Sequence, residues 1–241
     1  MLEGKFAVVT CGDTEIGAAI IRLFAEHGVT IAFAAKDTQK ASNLLSTIIG
    51  ISPDSFYQRC DLVIADQIEA FCAEVNRRKP LVDVLVNNPW LEFDKAFDAS
   101  DEDDDELLLQ VYQRSIMQTL RAFWPAMFKA GGCSVVNISS DSVFKSVQGS
   151  LMQTMAFGAI GGMTRVPAVE GGYREVRVNE ILAGSSAVSV YWNPTTGQSP
   201  AATASNTAIS TANTALFLAS EMASYISGVS LSVGGGKRRM R

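Results

Sequence analysis

The sequence predicts a single-domain α/β fold: a doubly wound, seven-stranded parallel sheet covered by helices on both faces. Two observations carry this. Short β-branched runs alternate with helical stretches over short connections, the pattern of a parallel sheet buried on both sides. A chain of 241 residues, 47% of them hydrophobic, can bury one large core, and no composition break or repeat divides it.

Residues 5–10 (KFAVVT) read as the first buried strand, and residues 16–27 as a helix stopped by Gly28. His27, the only histidine, stands at that helix end, where a cation is favoured, and has no partner with which to bind a metal. Residues 30–35 give the second strand and 38–49 a helix. Residues 56–60 give the third strand and 64–76 an amphipathic helix. Residues 82–86 (VDVLV) are a fourth strand ending in Asn87-Asn88, and 134–138, 176–181 and 229–233 supply the last three. The helical stretches 106–128 and 151–163 are apolar on more than one face. The sheet covers one side, and a partner subunit is the expected cover for the other. The acidic run 98–106 (DASDEDDDE) reads as a helix cap with dipole complementation. Residues 185–210, rich in Ser, Thr, Ala, Asn and Pro, read as a mobile lid, and 237–241 (KRRMR) as a basic tail.

Composition excludes several classes. A formal net charge of −5 gives no reason to expect a nucleic-acid partner. No apolar run approaches the length that spans a bilayer, and Met1–Lys5 leads into the first strand without the basic and cleavage regions of a signal peptide. The four cysteines (Cys11, Cys60, Cys72, Cys133) lack metal-site spacing and fit a reducing cytoplasm.

The chemistry-bearing motifs come in a fixed order. Thr10-Cys11-Gly12-Asp13-Thr14-Glu15-Ile16-Gly17 forms the first strand–turn–helix junction. Asp61-Leu62, Asn87-Asn88, Asn137-Ile138-Ser139-Ser140, Arg177-Val178-Asn179, Gly184 and the stretch 218–228 follow. On these residues the chain resembles the short-chain dehydrogenases/reductases over essentially its full length. The resemblance implies a Rossmann fold and an ancestral nicotinamide coenzyme site, of which Gly12, Gly17, Asp61 and Asn87 are the remnants.

The departures from the family pattern TGxxxGIG…NNAG are specific. Cys11 and Glu15 replace two loop glycines. Glu15 would set a carboxylate beside the coenzyme phosphates, a repulsion of roughly 1–4 kcal/mol at 4 Å. Trp90 replaces the glycine of NNAG, near the expected nicotinamide ribose. Together they predict a blocked cleft with no coenzyme bound; NAD or NADP is expected only if that blockade fails. Lys36 resembles the basic residue used for a 2′-phosphate and, beside an altered loop, reads as a surface residue.

The family reduces carbonyls with a Tyr proton donor, a Lys four residues later, a Ser and an Asn. Counting back from Thr164-Arg165 places Gln153 at the Tyr position and Phe157 at the Lys position, with Ser140 thirteen residues before Gln153. Setting Pro125 on the family's helix-end proline puts Tyr112 at the Asn position. Gln exchanges no proton near neutral pH, and Phe carries no charge. Tyr173-x-x-x-Arg177 comes a helix-length too late to replace the motif, Lys145 reads as a solvated loop residue, and Tyr112 is a substitute acid only with an ordinary pKa near 10.

The leading expectation is therefore a catalytically inactive subunit, with no catalytic residues beyond the remnant Ser140, that stabilises an active paralogue in a hetero-oligomer. The resemblance extends to heterotetrameric hydroxyacyl-CoA dehydrogenases such as that of anaerobic toluene breakdown. Failing a paralogue, a homo-oligomer is expected, with no nucleic-acid or membrane partner. The alternative is a cleft of Ser140, Tyr112, Gln153 and Trp90 turned to non-redox chemistry (cyclisation, elimination or isomerisation) or to ligand sensing.

Overall fold

A computed structural model describes every residue except 92, 94, 96, 145–150, 185–203 and 235–241. The strands are β1 (Phe6–Val9), β2 (Thr30–Ala35), β3 (Phe56–Arg59), β4 (Val84–Asn87), β5 (Cys133–Ser140), β6 (Val176–Ala183) and β7 (Ser230–Val233). They form one parallel sheet in the order β3-β2-β1-β4-β5-β6-β7. The helices are α1 (Glu15–Glu26), α2 (Thr38–Ile48), α3 (Ala65–Arg78), α4 (Glu102–Leu109), α5 (Ser115–Lys129), α6 (Leu151–Gly172) and α7 (Ala204–Ala219).

Alternation of side chains along each strand builds two cores. Phe6, Val8, Leu85, Val135 and Val178 face α3, α5 and α6, whereas Ala7, Val9, Val86, Val136 and Ile181 face α1, α2 and α7. The strand order reverses between β1 and β4, which opens a crevice at the carboxyl ends of these two strands. Every residue singled out below lies along that edge or on the helices flanking it.

The predicted helix 106–128 is longer and less regular than its apolar pattern indicates. It starts at Glu102 with a capping box, in which Asp101 accepts from Asp104 N and Asp104 accepts from Asp101 N, so the acidic run caps as expected. Residues Gln110–Arg114 form a π turn before α5 begins, with Ser115 N donating to Gln110 O. The Ser115 hydroxyl donates to Val111 O, satisfying a carbonyl beside the extra residue.

Part of the predicted lid is also corrected. Residues 204–210 belong to α7, which packs Ala208, Thr211, Ala212, Ala215 and Leu216 into the sheet. That i, i+3, i+4 spacing buries one helix face, made of small residues until Leu216. Residues 185–203 and the basic tail lie outside the described residues. His27 caps the end of α1, as its position predicted, and Tyr173 is 73% exposed just past α6, away from any motif.

Candidate active site

The junction after β1 keeps the shape of a dinucleotide loop although two of its glycines are gone. Cys11 takes φ +47°, the left-handed conformation that a side chain disfavours by about 1–2 kcal/mol. Three contacts hold it there. Gly17 packs so tightly that a Cβ on it would lie 2.3 Å from Cys11 O. The Thr14 hydroxyl donates to Cys11 O at 2.8 Å and accepts from Gly17 N at 3.1 Å, capping α1. From across the crevice, Asn88 Nδ2 donates to Thr14 Oγ1 and Cys11 O, while Asn88 N donates to Thr10 Oγ1. Burial, reinforced by Asp13 and only partly offset by the Trp90 backbone, pushes the pKa of the Cys11 thiol up to about 12.

Neither residue expected to block the site does so. Glu15 is the first residue of α1, and its side chain is exposed. An exposed carboxylate 4 Å from a phosphate costs about 1 kcal/mol in water, which weakens binding roughly fivefold and does not exclude it. Trp90 is 61% exposed and therefore does not plug the crevice. The first-turn N–H groups of α1 have no partner within the helix and face the end of the loop, the arrangement that receives a pyrophosphate. The residues at this end of the crevice fit a dinucleotide.

At the adenosine end, Lys36 Nζ lies 2.8 Å from Asp61 Oδ2, and Asp61 Oδ1 accepts from Val63 N. Lys36 is on the surface as expected, and Asp61 is ion-paired. Two further carboxylates stand here that the sequence reading passed over. Asp13 Oδ2 accepts from Lys36 N and Asp37 N, and Asp37 Oδ1 accepts from Gln39 N and Lys40 N. An acid inside the loop and another about 20 residues beyond its last glycine were the available signals.

Asn87 does not line the crevice. It is buried in a chain of hydrogen bonds that runs over β4 and β5 on one face of the sheet, from α5 to α6: Thr119 Oγ1 donates to Asn87 Oδ1, Asn87 Nδ2 to Asn137 Oδ1, and Asn137 Nδ2 to Thr164 Oγ1. All four residues are at most 1% exposed. The chain fixes the helix bearing Gln153 and Phe157 against the helical run bearing Tyr112.

Ser140 ends β5, partly exposed, and its hydroxyl accepts from Ser142 N. Gln153 and Phe157 sit in the first two turns of α6. Tyr112 lies at the centre of the π turn and meets Phe157 edge-on, ring centroids 4.9 Å apart. Its hydroxyl accepts from Leu91 N at 3.1 Å and donates to Leu91 O at 3.3 Å, and burial pushes its pKa up to about 12. Tyr112 is thus a clamp on the segment after β4 and no substitute acid. The positions aligned with the family's Asn and Lys hold an aromatic pair.

Among the described residues no group of His, Cys, Asp and Glu is arranged to hold a metal, and no helix is long and apolar enough to cross a membrane.

Comparison with known proteins bears on what this geometry serves. Residues 12–238 match the family described as enoyl-(acyl carrier protein) reductase. The 2,5-dichloro-2,5-cyclohexadiene-1,4-diol dehydrogenase of Sphingobium indicum is 29% identical over 98% of this chain and 96% of its own length. The D-xylose 1-dehydrogenase of Caulobacter vibrioides is 32% identical over 76% of this chain and 73% of its own. Among solved structures, a Pseudomonas aeruginosa short-chain oxidoreductase described as containing an atypical catalytic centre superimposes with a TM-score of 0.86. It is 25% identical, with 100% of this chain and 99% of that one covered.

Two expectations fall on these findings. The relatives are named dehydrogenases and reductases, so the expected inactive subunit, together with its non-redox and sensing alternatives, is set aside. The family is one of nicotinamide-dinucleotide enzymes, and the loop retains its shape, so the expectation of no coenzyme is corrected as well. The match across nearly the whole chain, the parallel sheet and the preserved loop lead to one conclusion: this protein belongs to the short-chain dehydrogenase/reductase family.

Proposed function

We propose that the chain is a nicotinamide-dinucleotide-dependent oxidoreductase with an atypical catalytic centre. The observation that carries this reading is Cys11 at φ +47°, locked by Gly17, Thr14 and Asn88. A loop freed from coenzyme binding would have no reason to keep a strained residue in a turn shaped for a pyrophosphate. The named relatives and the structural neighbour with an atypical centre support the same reading.

The loop 10–17 and the start of α1 would hold the pyrophosphate, and the Lys36-Asp37 turn with Asp61 would flank the adenosine ribose. A dinucleotide bound there supplies the hydride donor or acceptor. Ser140 Oγ and the Gln153 amide are the hydrogen-bond donors available to orient a substrate oxygen. Neither releases a proton near neutral pH, so the proton is exchanged with water and turnover is slow. A missing positioned acid costs typically a factor of about 10²–10⁴.

Titration of the purified protein with NADH and NADPH, read by protein fluorescence, tests this. Saturable binding of one of them below about 1 mM, weak on the affinity scale, is the expected result. Binding of neither would overturn the reading. Installing Gln153→Tyr with Phe157→Lys should then raise carbonyl reduction by about 10²-fold or more, because a seat for the coenzyme is already present.

For its partner we propose a second copy of the same chain, paired through α5 and α6. On these helices Met117, Met155, Val166 and Val169 are exposed, Val169 to 82%. Apolar side chains set along neighbouring helices at this exposure mark an association surface. The resemblance supports the same pair of helices.

A further inference from the structure

We infer that this coenzyme site selects the dinucleotide that lacks a 2′-phosphate, because the chain's own carboxylates already occupy the place of that phosphate. The inference rests on the proposed function and deepens it.

In a fold of this class the adenosine ribose lies against the turn about 20 residues past the glycine loop, where an acid receives the 2′-hydroxyl or a cation receives a 2′-phosphate. Here that turn is Lys36-Asp37, between β2 and the start of α2. The turn and the first turn of α2 offer four backbone N–H groups, two from Lys36 and Asp37 and two that Asp37 caps in α2, donors of the kind that suit an anion. All four are taken. Lys36 N and Asp37 N donate to Asp13 Oδ2 at 3.1 and 2.7 Å, and Gln39 N and Lys40 N donate to Asp37 Oδ1 at 2.9 and 3.0 Å. Asp13 comes from the dinucleotide loop itself, so the loop and the turn are laced together by the group that a phosphate would have to evict.

Lys36 and the exposed Arg59, which follows from β3 opposite Ala35, point the other way on charge alone. Lys36 is committed to Asp61 at 2.8 Å, although an exposed pair of this kind is weak and easily exchanged. Donor occupancy decides. A 2′-phosphate recruiting Lys36 would still find the N–H groups filled, and it would bring about two negative charges beside Asp13, Asp37 and Asp61. A ribose hydroxyl meets no such conflict, since it can donate to a carboxylate without displacing it.

The test is equilibrium binding to the intact protein, by calorimetry or fluorescence, of NADH against NADPH and of ADP-ribose against its 2′-phosphorylated form. The unphosphorylated member of each pair should bind at least about tenfold more tightly, the scale of one displaced charge-assisted contact. In Asp13→Ser, which frees Lys36 N and Asp37 N, the 2′-phosphorylated ligands should gain about tenfold or more. Equal or tighter binding of the 2′-phosphorylated ligands by the unaltered protein would overturn the inference and leave the oxidoreductase reading standing. Preference for plain ADP-ribose without binding of either dinucleotide would do the reverse. Binding of none of the four would overturn both.

Discussion

Cys11 holds a conformation that glycine would adopt freely, and its thiol is turned into the protein. Replacing it by glycine removes the left-handed strain of about 1–2 kcal/mol but adds roughly 0.5–1 kcal/mol of unfolded-state entropy. Cys11→Gly is therefore expected to leave stability unchanged or raise it by up to about 1.5 kcal/mol, as read from urea midpoints. With the pKa of Cys11 at about 12, mass spectrometry should find it unmodified after brief alkylation at pH 8 in the folded protein and modified once the chain is unfolded. Tyr112 offers a complementary case. Tyr112→Phe keeps the edge contact with Phe157 but strands Leu91 N, at an expected cost of about 1–3 kcal/mol, and should leave the pH profile of turnover where it was. The sequence located these two residues but could not show what holds them. A positive φ at a cysteine and a tyrosine bonded to backbone 21 residues away depend on contacts that no local pattern encodes.

Helices and strands were more legible. β-branched runs and glycine stops marked the strands and helix ends of a parallel sheet, because a strand buried on both faces is apolar at nearly every position. The start of α7 escaped for a corresponding reason: the buried residues of its first half, Ala208, Thr211 and Ala212, are small and read as loop composition. The π turn escaped because one inserted residue changes the hydrogen-bond register without altering the apolar pattern. The start of α4 carries a prediction at this scale. Lys95 Nζ lies 2.6 Å from Asp104 Oδ2 and holds that carboxyl below the usual aspartate range. Since the folded-state pKa is lowered, the contribution is present above the unfolded value of about 3.9 and disappears as pH falls through the folded one. Asp104→Asn should flatten the acid side of the stability curve, measured as urea midpoint against pH. Between the two strands, Asn137→Ala would strand the buried Asn87 Nδ2, while Thr164 Oγ1 keeps its bond to Ile160 O, and should cost about 1–3 kcal/mol.

For the molecule as a whole, light scattering should give an even-numbered assembly of identical chains. Val169→Glu together with Met155→Glu should reduce it toward the monomer, because charge at exposed apolar positions opposes their burial. The sheet order bears on synthesis as well. β1 is flanked by β2 on one side and by β4 on the other, and residues 84–87 of β4 are made long after residues 6–9. At about 5–20 residues per second, a ribosome leaves one edge of that central strand uncovered for roughly 4–15 seconds. Nascent chains arrested before β4 should accordingly be captured by chaperones, and chains released beyond it should shed them.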